Sequence, residues 1–236
     1  MSISLKGQRV LVIGAAGGIG HATATVFAQA GAELTAAGRP GPELDAAAVE
    51  MGAEPAALDI LDAEAAEAFF VGRVPFEHVV VAASSTKTGS VANLALVDAK
   101  AAMESKFWGA YRIARFAKIN EGGSLTFVSG FLARRPSAES VLQGAINAAL
   151  EGLARGLALE LAPTRVNAIS PGLIDTPLYA GMSNGERQAM FDKAAARLPA
   201  RRVGQPEDIA QAILFVAGSS FVTGSTIIVD GGGTIA

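Results

Sequence analysis

The protein has 236 residues, of which 50% are hydrophobic and 17% are charged, and its formal net charge is −3. This length allows one large domain or two small ones, and the hydrophobic fraction is sufficient for a sizeable core. The small net charge and scattered basic residues exclude the basic surface of a nucleic-acid-binding protein. The lack of cysteine excludes disulfides and cysteine-based zinc sites, and two histidines far apart argue against a histidine-rich site, so no metal is expected.

The sequence shows no long apolar segment for export or membrane insertion. The first nine residues, MSISLKGQR, lack the apolar core of a signal peptide. No run of about 18 apolar residues occurs, so no membrane span is predicted. We therefore expect a cytoplasmic protein whose partner is a small-molecule substrate, with no nucleic acid and no membrane among its partners.

Short apolar runs of strand length alternate with alanine-rich helical stretches. The first run, RVLVI, is followed by glycine, as expected for a parallel strand covered on both faces. The predicted strands are Arg9–Ile13, Glu33–Ala37, Pro55–Leu58, Val79–Ala82, Ser124–Val128, Arg165–Ile169 and Thr226–Val229. The predicted helices are Gly18–Ala30, Pro42–Met51, Asp62–Val71, Asp98–Asn120, Ser140–Leu161 and Pro206–Ala217.

This alternation predicts an α/β protein with a Rossmann fold, a doubly wound parallel sheet of about seven strands joined by right-handed crossovers. No Pro/Ser-rich linker or break in composition divides the chain, so we predict a single domain over residues 1–236. The segment Pro171–Pro199 is interpreted as one long irregular insertion. A substrate lid around residues 173–199, over a ligand cleft, is its natural role.

The segment between the first strand and the first helix has the glycine pattern of a dinucleotide-binding loop, GAAGGIG. Gly14 permits the tight turn, Gly18 lets the backbone approach a pyrophosphate, and Gly20 allows the helix to pack against the strand. Ala16 and Ile19 lie in the same loop and are predicted to contact the cofactor. The helix N-terminus then faces the phosphates with free N–H groups. An ordinary glycine turn before a helix is the alternative.

The second predicted strand ends where the adenosine ribose of a dinucleotide is expected. An acidic residue there would bind both ribose hydroxyls of NAD, but the sequence has Gly38 and Arg39. Because Gly38 leaves room and Arg39 offers a guanidinium to a 2′-phosphate, NADP(H) is favoured over NAD(H) as cofactor. A solvated surface arginine is the alternative. Asp59 is interpreted either as a partner of the adenine amino group or as a cap of the helix that starts near Asp62.

Segments spread over essentially the whole chain resemble the short-chain dehydrogenase/reductase family. The glycine loop resembles the family's TGxxxGIG motif, with Ile13 in place of the threonine, and Leu58–Ile60 resembles its adenine-binding segment. RVNAISPG resembles the sixth strand with its Pro-Gly turn, and RVGQPEDIA and TGSTIIVDGG resemble the C-terminal signatures. The family's NNAG segment reads VAAS here. The further cofactor-binding residues that the resemblance implies are Ile60, Ala82, Ala83, Asn147, Pro171, Gly172, Ile174 and Thr176.

The resemblance also implies a reaction and an assembly. Family members transfer a hydride between a nicotinamide and a carbonyl or alcohol, and a tyrosine beside a lysine acts as general acid and base. A serine orients the substrate oxygen, and an asparagine in the helix predicted over Asp98–Asn120 supports a water relay. Family members are commonly dimers or tetramers, so a homo-tetramer or homo-dimer is expected.

The family's catalytic positions fall on other residue types in this chain. The serine position falls on Gly130, the tyrosine and lysine positions on Gln143 and Asn147, and the asparagine position on Lys106. The chain has only two tyrosines, both outside the helix predicted over Ser140–Leu161, which also contains no lysine. We therefore interpret the chain as a divergent member without the YxxxK pair.

Four residues are candidates for the altered active site. Gln143 can donate a hydrogen bond to a carbonyl but cannot supply a proton near neutral pH. Asn147 can contact the nicotinamide ribose without a charge. Lys106 can replace the lost cation from a different helix, or else reach solvent. Ser129 can orient the substrate, or else bond local backbone.

Three other side chains near the expected cleft have two interpretations each. Arg134 and Arg135 follow the fifth strand and suit a carboxylate or phosphate ligand, or form a solvated loop. Tyr179 in the predicted lid can act as a substitute acid or pack as an ordinary aromatic.

The sequence leads to one preferred function and leaves two others open. The preferred function is an atypical NADP(H)-dependent oxidoreductase that acts on a carbonyl or alcohol. The alternatives are a non-catalytic dinucleotide-binding sensor or regulator, and a non-redox enzyme such as a cyclase or isomerase.

Overall fold

The structure, a computed structural model, describes residues 3–236, and a seven-stranded parallel sheet lies at its centre. The strands are β1 (Arg9–Ile13), β2 (Glu33–Gly38), β3 (Glu54–Ala57), β4 (Phe76–Val81), β5 (Ile119–Val128), β6 (Arg165–Pro171) and β7 (Thr226–Val229). Their order in the sheet is β3-β2-β1-β4-β5-β6-β7. Because the order reverses between β1 and β4, a crevice for ligands is expected at the carboxyl ends of these strands. The predicted Rossmann fold is confirmed.

Helices cover both faces of the sheet. They are α1 (Gly18–Gln29), α2 (Pro42–Met51), α3 (Ala63–Phe70), α4 (Leu96–Met103), α5 (Gly109–Phe116), α6 (Val141–Glu160), α7 (Asn184–Arg197) and α8 (Pro206–Gly218). Side chains of β1 alternate between the two buried layers, with Val10 and Val12 in one cluster and Leu11 and Ile13 in the other. This two-sided burial explains why the strand is a continuous apolar run.

The helix predicted over Asp98–Asn120 is not one regular helix. A π-helical turn, Glu104–Trp108, separates α4 from α5, and the helix ends at Phe116. The predicted C-terminal end is wrong because Ile119 already belongs to β5 and pairs with Phe76 of β4. Pairing with a distant strand therefore overrides the local helical pattern.

The segment after β6 is not irregular, and that part of the prediction is wrong. A 3₁₀ turn, Pro177–Tyr179, is followed by helix α7. Ser183 and Glu186 form a capping box at the N-terminus of α7, and this S-x-x-E pattern was visible in the sequence. The side chains of Asp175 and Arg187 form an ion pair that ties the helix to the end of β6.

Tyr179 packs in this segment as an ordinary aromatic. Its ring lies edge-on to that of Phe191, with 5.6 Å between the ring centroids. Burial raises the pKa of the Tyr179 hydroxyl above its usual value, which makes the hydroxyl a weaker acid. These contacts support the packing role for Tyr179 over that of a substitute acid.

Candidate functional site

The glycine loop is shaped by close approaches that leave no space for side chains. Gly14 has φ 90°, and a Cβ atom there would lie 2.7 Å from the backbone nitrogen of Ala83. A Cβ atom on Gly20 would lie 2.0 Å from the carbonyl oxygen of Gly14. The backbone N–H of Ala82 donates to the carbonyl of Ile13 at 2.9 Å. The loops after β1 and β4 therefore meet at the switch point, as a dinucleotide crevice requires.

The N-terminus of α1 is open to an anion. Its N-cap is Gly17, no side chain of the described residues caps it, and its first turn contains no acidic residue. The first N–H groups of the helix, from Gly18 and Ile19, therefore have no intrahelical acceptor and face outward with the positive end of the helix dipole. Ala16 is exposed in the same loop. These features fit a pyrophosphate group.

Thr176 lies beside this loop. A Cβ atom on Gly18 would lie 3.0 Å from the Cβ of Thr176 and 2.9 Å from the Cδ of Pro177. The segment after β6 therefore lies against the glycine loop at Gly18, close to where the resemblance puts the pyrophosphate and the nicotinamide. Gly172 has its own steric requirement, since a Cβ there would lie 2.6 Å from the Cα of Asp230. Pro171 is the last residue of β6 and is buried.

Arg39 and Asp59 lie at the expected adenosine end of the crevice. Arg39 is exposed directly after β2, and a Cβ on Gly38 would make only an ordinary contact, 3.7 Å from Leu44. The Oδ1 atom of Asp59 accepts the N–H of Leu61 at 2.9 Å, which leaves Oδ2 for another donor.

Asp62, not Asp59, is the N-cap of α3. Its Oδ1 accepts the N–H groups of Glu64 and Ala65, at 2.9 Å and 3.0 Å. The interpretation of Asp59 as the helix cap is therefore wrong, and its role as an adenine partner stays a prediction.

Ile60 and Ile174 are buried by the protein itself. The side chain of Ile60 packs against α5, where a Cβ on Gly109 would lie 2.7 Å from its Cδ1. A Cβ on Gly204 would lie 2.5 Å from the Cδ1 of Ile174. Any contact of these two residues with a cofactor therefore has to come from their backbone.

Gln143 and Asn147 lie one turn apart on the buried face of α6, with exposed fractions of 8% and 4%. The Nε2 of Gln143 donates to the carbonyl oxygen of Lys87, in the loop after β4, at 2.9 Å. The Oε1 of Gln143 and the Oδ1 of Asn147 are buried and accept no hydrogen bond from residues 3–236. Buried polar atoms normally find a hydrogen-bond partner, so these two unpaired oxygens are an unusual feature of this face of α6.

Gly130 makes room for the Asn147 amide. A Cβ atom on Gly130 would lie 2.7 Å from the Nδ2 of Asn147. The amide therefore occupies the space into which any side chain at position 130 would extend. Residue 130 follows β5 directly, so this amide lies at the carboxyl edge of the sheet, on the same side as the glycine loop.

Lys106 reaches the same place from the π-helical turn. Its Nζ donates to the carbonyl oxygen of Ser129 at 2.7 Å, and burial lowers the pKa of its ammonium to about 8. The alternative in which Lys106 extends into solvent is therefore wrong. The preceding residue, Ser105, accepts the N–H of Ser85 at 2.7 Å and so anchors the turn to the loop after β4. π-Helical turns of this kind occur frequently at functional sites.

The hydroxyl of Ser129 is engaged inside the protein. It lies 3.2 Å from the Oε1 of Glu151 and 3.2 Å from the carbonyl oxygen of Ile169, and it can donate to either. This geometry supports the alternative in which Ser129 bonds neighbouring groups. Sequence reasoning missed the buried carboxylate of Glu151, although it lies four residues after Asn147 on the same helical face.

Arg134 and Arg135 also have partners within the protein. Arg134 forms an ion pair with Glu151, with 3.3 Å between Nη2 and Oε2, and Arg135 donates to the carbonyl of Gly233. The two guanidiniums therefore fasten α6 and the C-terminal segment to the loop after β5. The structure therefore does not show the free pair of arginines that one of the two sequence interpretations assigned to an anionic ligand.

Two further features concern metal ions and membranes. The described part of the chain contains no cluster of three histidine, aspartate or glutamate side chains suitable for a metal ion. Within residues 3–236, no helix combines the length and the apolar composition needed to cross a membrane.

The chain is similar over nearly its whole length to known dehydrogenases and reductases. The profile of a family described as enoyl-(acyl carrier protein) reductase matches residues 14–234. Galactitol 2-dehydrogenase (L-tagatose-forming) of Cereibacter sphaeroides is 33% identical over 248 residues, which cover 98% of this chain and 96% of that protein.

Solved structures show the same similarity in three dimensions. A small-chain dehydrogenase in complex with NADPH is 35% identical, with a TM-score of 0.83 and coverage of 97% of this chain and 99% of that chain. A short-chain dehydrogenase/reductase from Brucella melitensis, described as glucose/ribitol dehydrogenase, is 28% identical with a TM-score of 0.93 and covers 100% of both chains. The chain therefore belongs to the short-chain dehydrogenase/reductase family of oxidoreductases.

Proposed function

We propose that the protein is an atypical NADP(H)-dependent oxidoreductase that interconverts an alcohol and a carbonyl, with Lys106 in place of the family's catalytic pair. The observation that supports this most is the inward position of Lys106. Its Nζ lies 2.7 Å from the Ser129 carbonyl, next to Gly130 and the Asn147 amide. A cation is thereby available at the carboxyl edge of the sheet, although it comes from the turn between α4 and α5 and not from α6.

The cofactor, when bound, supplies the carbon atom that accepts or donates the hydride. The glycine loop and the N-terminus of α1 bind its pyrophosphate, and Thr176 and the backbone of Ile174 hold its nicotinamide end. Asp59 and the backbone of Ile60 contact its adenine. Arg39 binds a 2′-phosphate, which makes NADP(H) the preferred form. The similarity to a dehydrogenase crystallised with NADPH supports this choice.

The remaining cofactor contacts come from three segments. Ala82 and Ala83 line the crevice beside Gly14. Pro171 and Gly172 shape its far side, and Asn147 contacts the nicotinamide ribose. Residues 173–199, which include α7, form the substrate lid of the single domain over residues 1–236.

The chain differs from the family in the groups that would exchange a proton with the substrate, and not in the groups that would bind the hydride-transferring cofactor. If Gln143 and Asn147 stand at the tyrosine and lysine positions, neither side chain can exchange a proton near neutral pH. Lys106 can, because burial lowers its pKa to about 8. Its ammonium has three hydrogens, and the Ser129 carbonyl takes one, so others remain for a substrate oxygen. Lys106 is thus the acid for carbonyl reduction and, without its proton, the base for alcohol oxidation.

The preferred substrate class is a polyol or the corresponding ketose. The similarity to galactitol 2-dehydrogenase supports this class.

Cofactor titration followed by a turnover assay tests the proposal. We expect NADPH to bind in the micromolar range and NADH more weakly, by calorimetry or by nicotinamide fluorescence. Galactitol with NADP⁺, and L-tagatose with NADPH, should then give absorbance changes at the nicotinamide band. Failure of both cofactors to bind below millimolar concentration would refute the assignment.

The same assay separates the two alternative functions that the sequence leaves open. A dinucleotide sensor is favoured by the neutral amide of Gln143 on α6, and it would bind NADPH without turning over any substrate. A cyclase or isomerase would convert its substrate with no net change in nicotinamide absorbance.

We propose in addition that the protein is a homo-tetramer or homo-dimer. Trp108 and Tyr111 lie at the π-helical turn and on α5 with exposed fractions of 44% and 39%, and their rings meet edge-on with 5.6 Å between centroids. Burial of such an aromatic pair against a second copy would be favourable. Light scattering of the purified protein gives the mass directly, and a monomer at micromolar concentration would contradict the proposal.

A further inference from the structure

The chain makes a tight turn between β3 and α3, over Asp59–Asp62. The carbonyl of Asp59 accepts the N–H of Asp62 at 3.2 Å, and its Oδ1 accepts the N–H of Leu61 at 2.9 Å. A trans peptide bond is planar, so the N–H of Ile60 points away from the Asp59 carbonyl. Within residues 3–236, no acceptor binds this N–H or contacts the Oδ2 of Asp59. The turn therefore leaves one donor and one acceptor unused.

Arg112 of α5 holds this turn from the other side. Its Nη1 donates to the carbonyl oxygen of Ile60 at 3.2 Å. The same peptide bond, between Ile60 and Leu61, presents its N–H to the Asp59 carboxylate. One edge of this peptide bond is thus bound by the carboxylate and the other by the guanidinium. The orientation of the Asp59 carboxylate consequently depends on Arg112 through a single peptide bond.

The guanidinium of Arg112 is itself fixed in place. Its Nη2 forms an ion pair with Glu104, the first residue of the π-helical turn, and its side chain is only 20% exposed. A planar guanidinium can bind two acceptors at once with its orientation fixed, which an ammonium cannot do. Helix α5 also holds Ile60 by its side chain, through the close approach at Gly109. The turn is therefore attached to α5 at two points.

The two unused groups of the turn match the polar edge of adenine. Adenine carries an amino group, which donates, beside a ring nitrogen, which accepts. A carboxylate oxygen and a backbone N–H are their complements. Hypoxanthine has a carbonyl and a ring N–H at the same places, so both contacts would bring like groups together. The match holds only while Asp59 and Ile60 keep their relative positions.

We propose that Arg112 is a positioning residue that holds Asp59 and Ile60 in the arrangement that recognises the adenine of the cofactor. This inference rests on the proposed function, in which these two residues contact the adenine. Arg112 itself contacts neither cofactor nor substrate and acts through the Ile60 carbonyl. Loss of Arg112 should therefore reduce the distinction between bases, which a residue that serves stability alone would leave unchanged.

Binding of two cofactors that differ only in the base tests the proposal. NADPH and reduced nicotinamide hypoxanthine dinucleotide phosphate are each titrated into the protein, with calorimetry as the readout. Unmatched hydrogen-bonding groups reduce affinity by about tenfold or more. We expect the wild-type protein to bind NADPH at least tenfold more tightly than the hypoxanthine analogue.

Arg112→Met removes the guanidinium and keeps most of the length of the side chain. We expect this variant to bind NADPH about tenfold more weakly and the hypoxanthine analogue nearly as before, so that the ratio of the two dissociation constants falls toward one. Arg115→Met, at an exposed position of the same helix, should keep the wild-type ratio. Thermal unfolding of the two variants measures any effect on stability separately.

Three outcomes would overturn the inference while leaving the proposed function intact. These are equal binding of the two cofactors to the wild-type protein, an unchanged ratio in a folded Arg112→Met protein, or the same fall in ratio in Arg115→Met. Loss of NADPH binding in the wild-type protein would instead refute the proposed function.

Circular dichroism shows whether Arg112→Met folds, and Arg112→Lys replaces it in the same assay if it does not. The ammonium of this variant can stay with the Glu104 carboxylate, which leaves the Ile60 carbonyl without its partner. We expect the ratio to fall in this variant too, and an unchanged ratio would overturn the inference.

Discussion

The glycine loop and the buried face of α6 stand at the same edge of the sheet but are built in different ways. In the loop, missing side chains let backbone approach backbone, as where a Cβ on Gly20 would meet the Gly14 carbonyl at 2.0 Å. On α6, the site depends on how two amide side chains are oriented by distant segments. Gln143 is held by Lys87, and Asn147 fills the space beside Gly130. The first arrangement is local in sequence, whereas the second draws on several loops.

This difference indicates in which part of the site substitutions can change the chemistry. The loop tolerates few replacements at its glycines, because a Cβ on Gly14 or Gly20 collides with main-chain atoms and one on Gly18 meets Thr176. The face of α6 can exchange one polar group for another, provided that its partners change as well. Substitutions in the two regions should therefore differ in kind, with loss of binding in the loop and altered rate or preference on α6.

The largest effect on cofactor affinity is expected for Gly20→Ala. The added methyl group overlaps the Gly14 carbonyl, so the loop must shift and the N-terminus of α1 moves away from the phosphates. We expect NADPH affinity to fall about a hundredfold or more, which corresponds to roughly 3 kcal/mol. Calorimetry measures this loss of affinity. Gly156→Ala, in a helical position with open space around it, is the control and should leave affinity unchanged.

Lys106→Met should strongly reduce turnover without affecting cofactor binding. Removal of a general acid or base typically costs about 10²–10⁴-fold in rate. Steady-state rates and an NADPH titration on the same preparation separate the two effects. Lys100→Met, on the exposed side of α4, should behave as wild type. Normal turnover in Lys106→Met would remove this lysine from the mechanism.

The pH profiles of the two reaction directions should mirror each other around the Lys106 pKa of about 8. Carbonyl reduction needs the protonated ammonium, so its rate is constant below this pKa and falls as the pH rises through it. Alcohol oxidation needs the free amine, so its rate rises over the same interval. Initial rates measured in both directions between pH 6 and 10 check the sign, and profiles with the same sign in both directions would contradict it.

Arg39→Ala should distinguish the two cofactors. Loss of a hydrogen bond between charged groups costs about 1.5–3 kcal/mol, so NADPH should bind roughly tenfold to a hundredfold more weakly. NADH, which has no 2′-phosphate, should be little affected. Arg155→Ala, an exposed arginine on α6, controls for the general loss of positive charge. Equal weakening of both cofactors would refute the 2′-phosphate contact.

The smallest effect is expected for Gly130→Ala, which probes the α6 side of the comparison. The new methyl group would lie 2.7 Å from the Asn147 Nδ2 and displace a side-chain amide instead of main-chain atoms. We expect a severalfold loss of turnover, about 1 kcal/mol in activation free energy, with cofactor affinity nearly unchanged. Gly152→Ala, whose nearest neighbour is the flexible end of Arg155, serves as the control.

Much of the fold could be predicted from sequence, because its signals are local. The apolar runs predict the bounds of β1 and β7 correctly. Pro42 begins α2 and Gly52 follows its last residue, as expected for the start and the end of a helix. Helix α7 is not among the predicted helices, although the sequence contains its capping box at Ser183 and Glu186. The start of β5 was missed for a different reason, since only pairing with β4 makes Ile119 part of a strand.

The features of the site also separate into those that local sequence signals predict and those that depend on contacts between distant segments. The sequence by itself determined the Rossmann fold and the glycine loop, because these follow from hydrophobic periodicity and from the steric freedom of glycine, which are properties of neighbouring residues. Only the tertiary structure decided that Lys106 points inward with a lowered pKa, that the hydroxyl of Ser129 is engaged by neighbouring groups, and that the Gln143 amide donates to the Lys87 carbonyl. Those outcomes depend on backbone carbonyls and a carboxylate contributed by segments 22 to 56 residues away in sequence, at Ser129, Glu151 and Lys87. A carbonyl group is present in every residue, so no sequence pattern marks which one a side chain will meet.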